Sequence, residues 1–171
     1  ALARHYQVDR QMVYAIAAYH DVGLEKGREM HHIHSGEILA ADAKLRQWFS
    51  PQQIAVMREA VEDHRASSDH EPRTIYGRIV AEADRCIDPP TIRRTIQYGL
   101  ANYPELDRED QYRRCVDHLT HKYAEGGYLR LWIPESDNAL RLARLRELIR
   151  NRQELRRLFD EIFDREIAAN G

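Results

Sequence analysis

Apolar positions recur along the chain at the three-to-four spacing of helices, and no stretch alternates with period two for long enough to build a sheet. An all-α fold follows. Asp9 is placed to cap a first helix whose apolar stripe is Met12, Val13, Ile16 and Ala17, with Tyr19 and His20 at its end and Gly23 at the exit. The polar stretch from Glu25 to His34 reads as a loop leading to a helix from Ser35 to Trp48. Ser50-Pro51-Gln52-Gln53 then combines a capping residue, Pro at the first helical position and a Gln that completes a capping box. The helix it opens runs through Ile54, Met57 and Val61 and delivers Asp63 and His64 at its end. Beyond a polar loop from Arg65 to Pro72, Ile75, Ile79, Val80 and Ala83 mark another helix, with Asp84 in its C-terminal part.

The second half continues in the same manner. Asp88-Pro89 opens a helix that Pro104 stops, and Asp107 starts the next, striped by Tyr112, Val116, Leu119 and Tyr123 and ended by Gly126-Gly127. Tyr128 to Ile133 is extended or irregular. After a cap at Ser136 or Asp137, Asn138 to Arg150 and Gln153 to Ile167 form two charged amphipathic helices, striped by Leu140, Leu142, Leu145 and Leu148 and by Leu155, Leu158, Phe159, Ile162 and Phe163. No repeat or linker divides the chain, so one domain over 1–171 is expected, with a motif-bearing core to about residue 90 and a helical extension over 91–171.

Composition narrows the function classes. The 171 residues suffice for a substantial core, and a net charge of -2 gives no drive towards nucleic acid as a bulk partner. Nothing approaches the roughly 18 consecutive apolar residues of a membrane span, and the first residues lack a signal-peptide core. A soluble cytoplasmic protein without a membrane partner is the expectation. Cys86 and Cys115 lack the number and spacing of a disulfide framework or a thiolate zinc site and read as reduced packing residues.

Candidate chemistry concentrates in the first half. His20-Asp21 sets an imidazole and a carboxylate on one helical shoulder, where a long side chain and a short one can converge on one ion. Further nitrogen and oxygen donors follow on successive helices: His31, His32, His34, Glu37, Asp63, His64, Glu82 and Asp84. His32 stands four residues before Gly36, and one or both of its neighbours His31 and His34 read as surface histidines. Asp63-His64-Arg65 ends an apolar-striped helix with three ionisable groups, and Asp84 lies among small residues that let another helix approach.

The stretches YHDVGL, HHIHSGEIL, VEDHR and IVAEADR together resemble the HD superfamily of metal-dependent phosphohydrolases, over residues 1 to about 90. The resemblance implies an all-α scaffold in which His20, Asp21 and Asp84 bind a primary divalent metal. His32 and His64 match positions that bind a second ion, with Asp21 as the bridge. Mn, Fe, Co, Ni or Zn suits such mixed donors, as one ion or two. The family's first His stands further upstream of the His-Asp pair than His5 does, and is expected to precede Ala1.

Two positions depart from the family pattern. Leu24 stands where many members carry Lys, so a cation that would steady phosphate is absent there; Asp63 replaces the first His of a His-His pair, which together with the missing GYP motif weighs against a cyclic-dinucleotide substrate. The implied activity is a phosphomonoesterase or phosphodiesterase acting on a nucleotide or another small phosphorylated metabolite. Arg65, Arg85 or Lys26 would neutralise phosphate oxygens, and Asp63 or Asp84 would accept a proton from water. The alternative is a binding or regulatory module that keeps the fold without turnover, which the departure at Leu24 favours. The C-terminal helices are also available to form a homodimer surface.

Overall fold

The computed structural model describes residues 2–68, 70–85, 87 and 90–170. Every regular element among them is helical, and none of these helices is long and apolar enough to cross a membrane. Two compact units emerge, one from Ala1–Arg85 with Leu131–Ser136, the other from Cys86–Arg130 with Asp137–Gly171.

The first unit contains α1 (Arg10–Tyr19), α2 (His31–Ala41), α3 (Pro51–Glu62) and α4 (Ile75–Asp84), with 3-10 turns at Leu2–Arg4, Val22–Lys26 and Ala43–Gln47. Local chemistry starts the helices where the residues predict. Asp9 Oδ1 accepts from the Gln11 amide at 2.8 Å, and Ser50 and Gln53 form the reciprocal capping box at 3.2 and 2.9 Å. The stripes of α1, α3 and α4 meet α2 in a core of Met12, Ile16, Leu39, Ile54, Met57, Val61 and Val80. Ile16, Leu39, Met57 and Val61 are fully buried, each stabilising the unit by about 1.5–3 kcal/mol relative to exposure.

Two boundaries differ from expectation. The helix expected to begin at Ser35 begins at His31, because the Gly23 amide donates to the buried Ser35 Oγ at 2.9 Å and ties the first turn of α2 to the chain after Asp21. The same helix stops at Ala41 instead of running to Trp48. Asp42 is extended there; its carboxylate caps the following 3-10 turn through the Lys44 amide at 2.9 Å and accepts from the Tyr19 hydroxyl at 2.5 Å. A further tie comes from the segment 131–136. The Trp132 amide, at 2.8 Å, and the Ser136 hydroxyl both donate to the fully buried carboxylate of Glu82 on α4.

The second unit contains α5 (Thr91–Asn102), α6 (Arg108–Tyr123), α7 (Asp137–Arg150) and α8 (Arg152–Asn170). Its core joins Ile92, Ile96, Cys115, Leu119, Leu142, Leu145, Ile149, Leu155 and Phe159, with Phe159 and Phe163 stacked at 5.3 Å between ring centroids. Along α7 the inward stripe is Leu142, Leu145 and Ile149, whereas Leu140, expected in it, is 64% exposed. Burial pushes the Cys115 thiol up to about 12, which leaves it an unreactive packing group. The helix start expected at Asp88-Pro89 and the second cysteine, Cys86, lie outside the described residues.

Candidate metal centre

Three helix-terminal histidines share one local device. His20 at the end of α1, His31 at the start of α2 and His64 just past α3 each place Nδ1 against the backbone carbonyl three residues earlier: Ala17 at 2.8 Å, Arg28 at 2.7 Å and Val61 at 2.6 Å. A carbonyl only accepts, so each Nδ1 carries the proton, and in a neutral ring Nε2 is left as the lone pair facing away from the helix. Ring orientation and tautomer are thereby both fixed, as metal-ligating histidines require.

Those Nε2 atoms converge on Asp21. Oδ1 of Asp21 lies 3.4 Å from His31 Nε2 and 3.5 Å from His64 Nε2, and the two nitrogens are 3.3 Å apart. All three ligand atoms fall within 4.8 Å of one another. Two Nε2 lone pairs cannot hydrogen-bond to each other. Their separation is that of neighbouring ligands on one cation, since metal–nitrogen distances of about 2.1 Å put such ligands roughly 3.0–3.4 Å apart. The donor set therefore fits a divalent transition metal. His64 forms the deep wall at 3% side-chain exposure, while Asp21, at 45%, opens the group to solvent.

The other oxygen of Asp21 serves a second set of donors. Oδ2 is 3.6 Å from His20 Nε2, which is 3.7 Å from Asp84 Oδ1. The rings of His20 and His64 meet edge to face at 5.2 Å, so the two sets adjoin through both Asp21 and the imidazoles. Donation to the Asp84 carboxylate is the main reason the His20 imidazole is raised to about 9, and His20 in turn holds the Asp84 carboxyl below its usual range. Burial works the opposite way at His64, lowering its pKa and keeping the ring neutral.

His20, Asp21, His64 and Asp84 are thus brought near one another, from the end of α1, the turn after it, the end of α3 and the end of α4. The histidine that α2 contributes is His31. His32, the expected ligand, stands beside it with ring centroids 5.6 Å apart and outside the group; burial, Arg65 and the neighbouring imidazoles lower its pKa to about 4.

The candidate catalytic residues are placed differently from one another. Asp63 is 2% exposed and is occupied by Arg73: Oδ1 accepts from Nε and Nη2 at 3.0 and 2.9 Å, and Oδ2 from the Arg73 amide at 2.7 Å. This carboxylate closes the loop after α3 and is not one of the grouped donors around Asp21. Arg65 donates to the Glu29 carbonyl at 2.5 Å, and Arg85, 5% exposed, donates to the His64 carbonyl at 2.7 Å. Lys26 ends the exposed 3-10 turn between Asp21 and His31. Sequence reasoning did not single out Arg73. Its signal was weak, since an Arg ten residues beyond an Asp is paired with it only once the loop folds back.

The first unit is thus an all-helical domain that gathers imidazole and carboxylate donors from its helix ends into a group that could hold a metal ion. The HD domain family model matches residues 1–87, just over half of the 171-residue chain, and the chain belongs to the HD domain family. No curated protein and no solved structure matches it.

Proposed function

We propose that the chain is a metal-dependent phosphohydrolase, a phosphomonoesterase or phosphodiesterase acting on a nucleotide or another small phosphorylated metabolite. The observation that carries this reading is the convergence of Asp21, His31 and His64, with ring tautomers fixed by backbone carbonyls. His31, His64 and Oδ1 of Asp21 would hold one ion; His20, Asp84 and Oδ2 of Asp21 would hold a second, with Asp21 as the bridge. A divalent ion, Mn, Fe, Co, Ni or Zn, supplies Lewis acidity towards a phosphoryl oxygen and lowers the pKa of water.

The chain's own residues divide the remaining work. The Arg28 and Val61 carbonyls hold the Nδ1 hydrogens of His31 and His64, so these rings aim Nε2 at the group without turning, and the Ala17 carbonyl orients His20 in the same way. Buried His64 is already neutral at pH 7, whereas His20 holds a proton on Nε2 beside Asp84 that must leave before the nitrogen can ligate. Substrate would approach where Asp21 and Asp84 are 45% and 39% exposed. Exposed Lys26 is the expected cation most accessible to phosphate, with Arg65 and Arg85 engaged by carbonyls. The same engagement, with Leu24 exposed in place of a Lys, favours the second reading, a module that binds ion and phosphate with weak turnover.

Metal analysis of the purified chain and hydrolysis of a panel of mononucleotides, dinucleotides and sugar phosphates test the proposal, with Asp21→Ala as the comparison. Wild type should hold one or two ions and hydrolyse a member of the panel, and Asp21→Ala should lose both. Hydrolysis by metal-free Asp21→Ala would refute the mechanism, and a metal-loaded wild type inert on the whole panel would favour the module.

A further inference from the structure

Arg85 combines features that do not suit a phosphate-binding arginine. Its side chain is 3% exposed, although the adjacent Asp84 is 39% exposed, so the guanidinium lies behind the carboxylate and away from the open side of the donor group. Its Nη1 donates to the backbone carbonyl of His64 at 2.7 Å and stands 3.6 Å from Oδ2 of Asp84. The opposite oxygen of Asp84, Oδ1, is the one that faces His20. One guanidinium therefore touches the main chain of the donor that ends α3 and the side chain of the donor that ends α4.

We propose that Arg85 is a positioning residue for the metal centre, fixing His64 and Asp84 in one frame rather than contacting substrate. The inference rests on the metal reading given above. Helix ends leave carbonyls without intrahelical partners, and a cation there satisfies them while opposing the negative end of the helix dipole. A planar, permanently charged guanidinium suits this task because it can hold two acceptors at a set angle, which an ammonium on a flexible stem does not. Burying such a charge costs free energy, and burial lowers the Arg85 pKa, so its interior location is consistent with a role that needs the two helix ends held together. His64 would otherwise be anchored through Val61 alone on its own helix, and Asp84 would be free to rotate away from His20.

The test uses the full chain with Arg85→Met, which keeps volume and removes charge, and Arg85→Lys, which keeps charge and removes the planar fork. Circular dichroism and thermal melting establish folding, and Co(II) titration followed by its visible absorption gives affinity and ligand geometry. Both folded variants should bind Co(II) about 10–100-fold more weakly, with an altered spectrum, as for other residues that orient ligands without touching the ion. At saturating metal, KM for a hydrolysed phosphoester should change little. If Arg85→Met fails to fold, Arg85→Lys decides. Wild-type Co(II) affinity and spectrum in the folded variants would overturn the inference and leave the metal reading intact, as would a raised KM with metal binding unchanged. Absence of Co(II) binding by wild type would overturn the metal reading and this inference together.

Discussion

Replacing Gly23 with Ala is the sharpest perturbation the fold offers, because a single added methyl group meets backbone. A Cβ at this position would lie 2.4 Å from the His31 carbonyl oxygen and 2.6 Å from the Ser35 nitrogen. Gly23 does not have a positive φ, so the restriction is one of space and not of backbone conformation. To restore ordinary contact the first turn of α2 must retreat by about 1 Å, since neither obstructing atom belongs to a side chain that can swing aside. His31 Nε2, now 3.4 Å from Asp21 Oδ1, would move with it. Metal–ligand distances tolerate only about ±0.2 Å, so the displaced ring should weaken metal binding by about 10–100-fold. Overpacking should also cost about 1–3 kcal/mol, lowering Tm by roughly 2–4 °C for each kcal/mol in a chain of this size. Co(II) titration with parallel melting in EDTA measures both effects. Wild-type affinity in Gly23→Ala would refute the claim that this close approach sets His31, whatever happened to Tm.

Three further outcomes follow from the charges around the site. The folded pKa of His20, about 9, exceeds the 6.5 of a free imidazole, so its contribution to metal-free stability is full below about pH 6.5 and is lost as pH rises through 9. Tm in EDTA should therefore fall over that window while Co(II) affinity rises, because the ion displaces the same proton; His20→Gln should flatten both trends, and a wild-type Tm that is level from pH 6.5 to 9 would remove His20 from this role. Arg73→Ala strands the buried Asp63 carboxylate and should destabilise by about 2 kcal/mol, below the usual 3–5 for a broken buried pair because the guanidinium is 43% exposed. Asp63→Asn should retain most phosphoester hydrolysis, and a loss of kcat at unchanged Tm would instead make Asp63 a catalytic base.

The sequence alone determined much of the helical framework and the motif-bearing residues. Asp9, Ser50 with Gln53 and Asp107 start helices where expected because a cap is a contact between a side chain and an amide two or three residues away. His20-Asp21, His64 and Asp84 were recognisable for a related reason: each follows or ends a helix whose apolar stripe fixes which way its terminus faces. Tertiary structure alone chose His31 over His32. Adjacent helical residues differ by about 100° in direction, and the choice between them depends on where the first turn of α2 docks, which the contact of Gly23 with Ser35 decides across twelve residues. The roles of Asp63 and Arg85 were hidden in the same way. An ionisable group at a helix end looks alike in sequence whether it faces a substrate or a partner. Asp63 found its partner in a loop arginine ten residues on, and Arg85 in the His64 backbone carbonyl, a group that every residue carries and no sequence pattern marks.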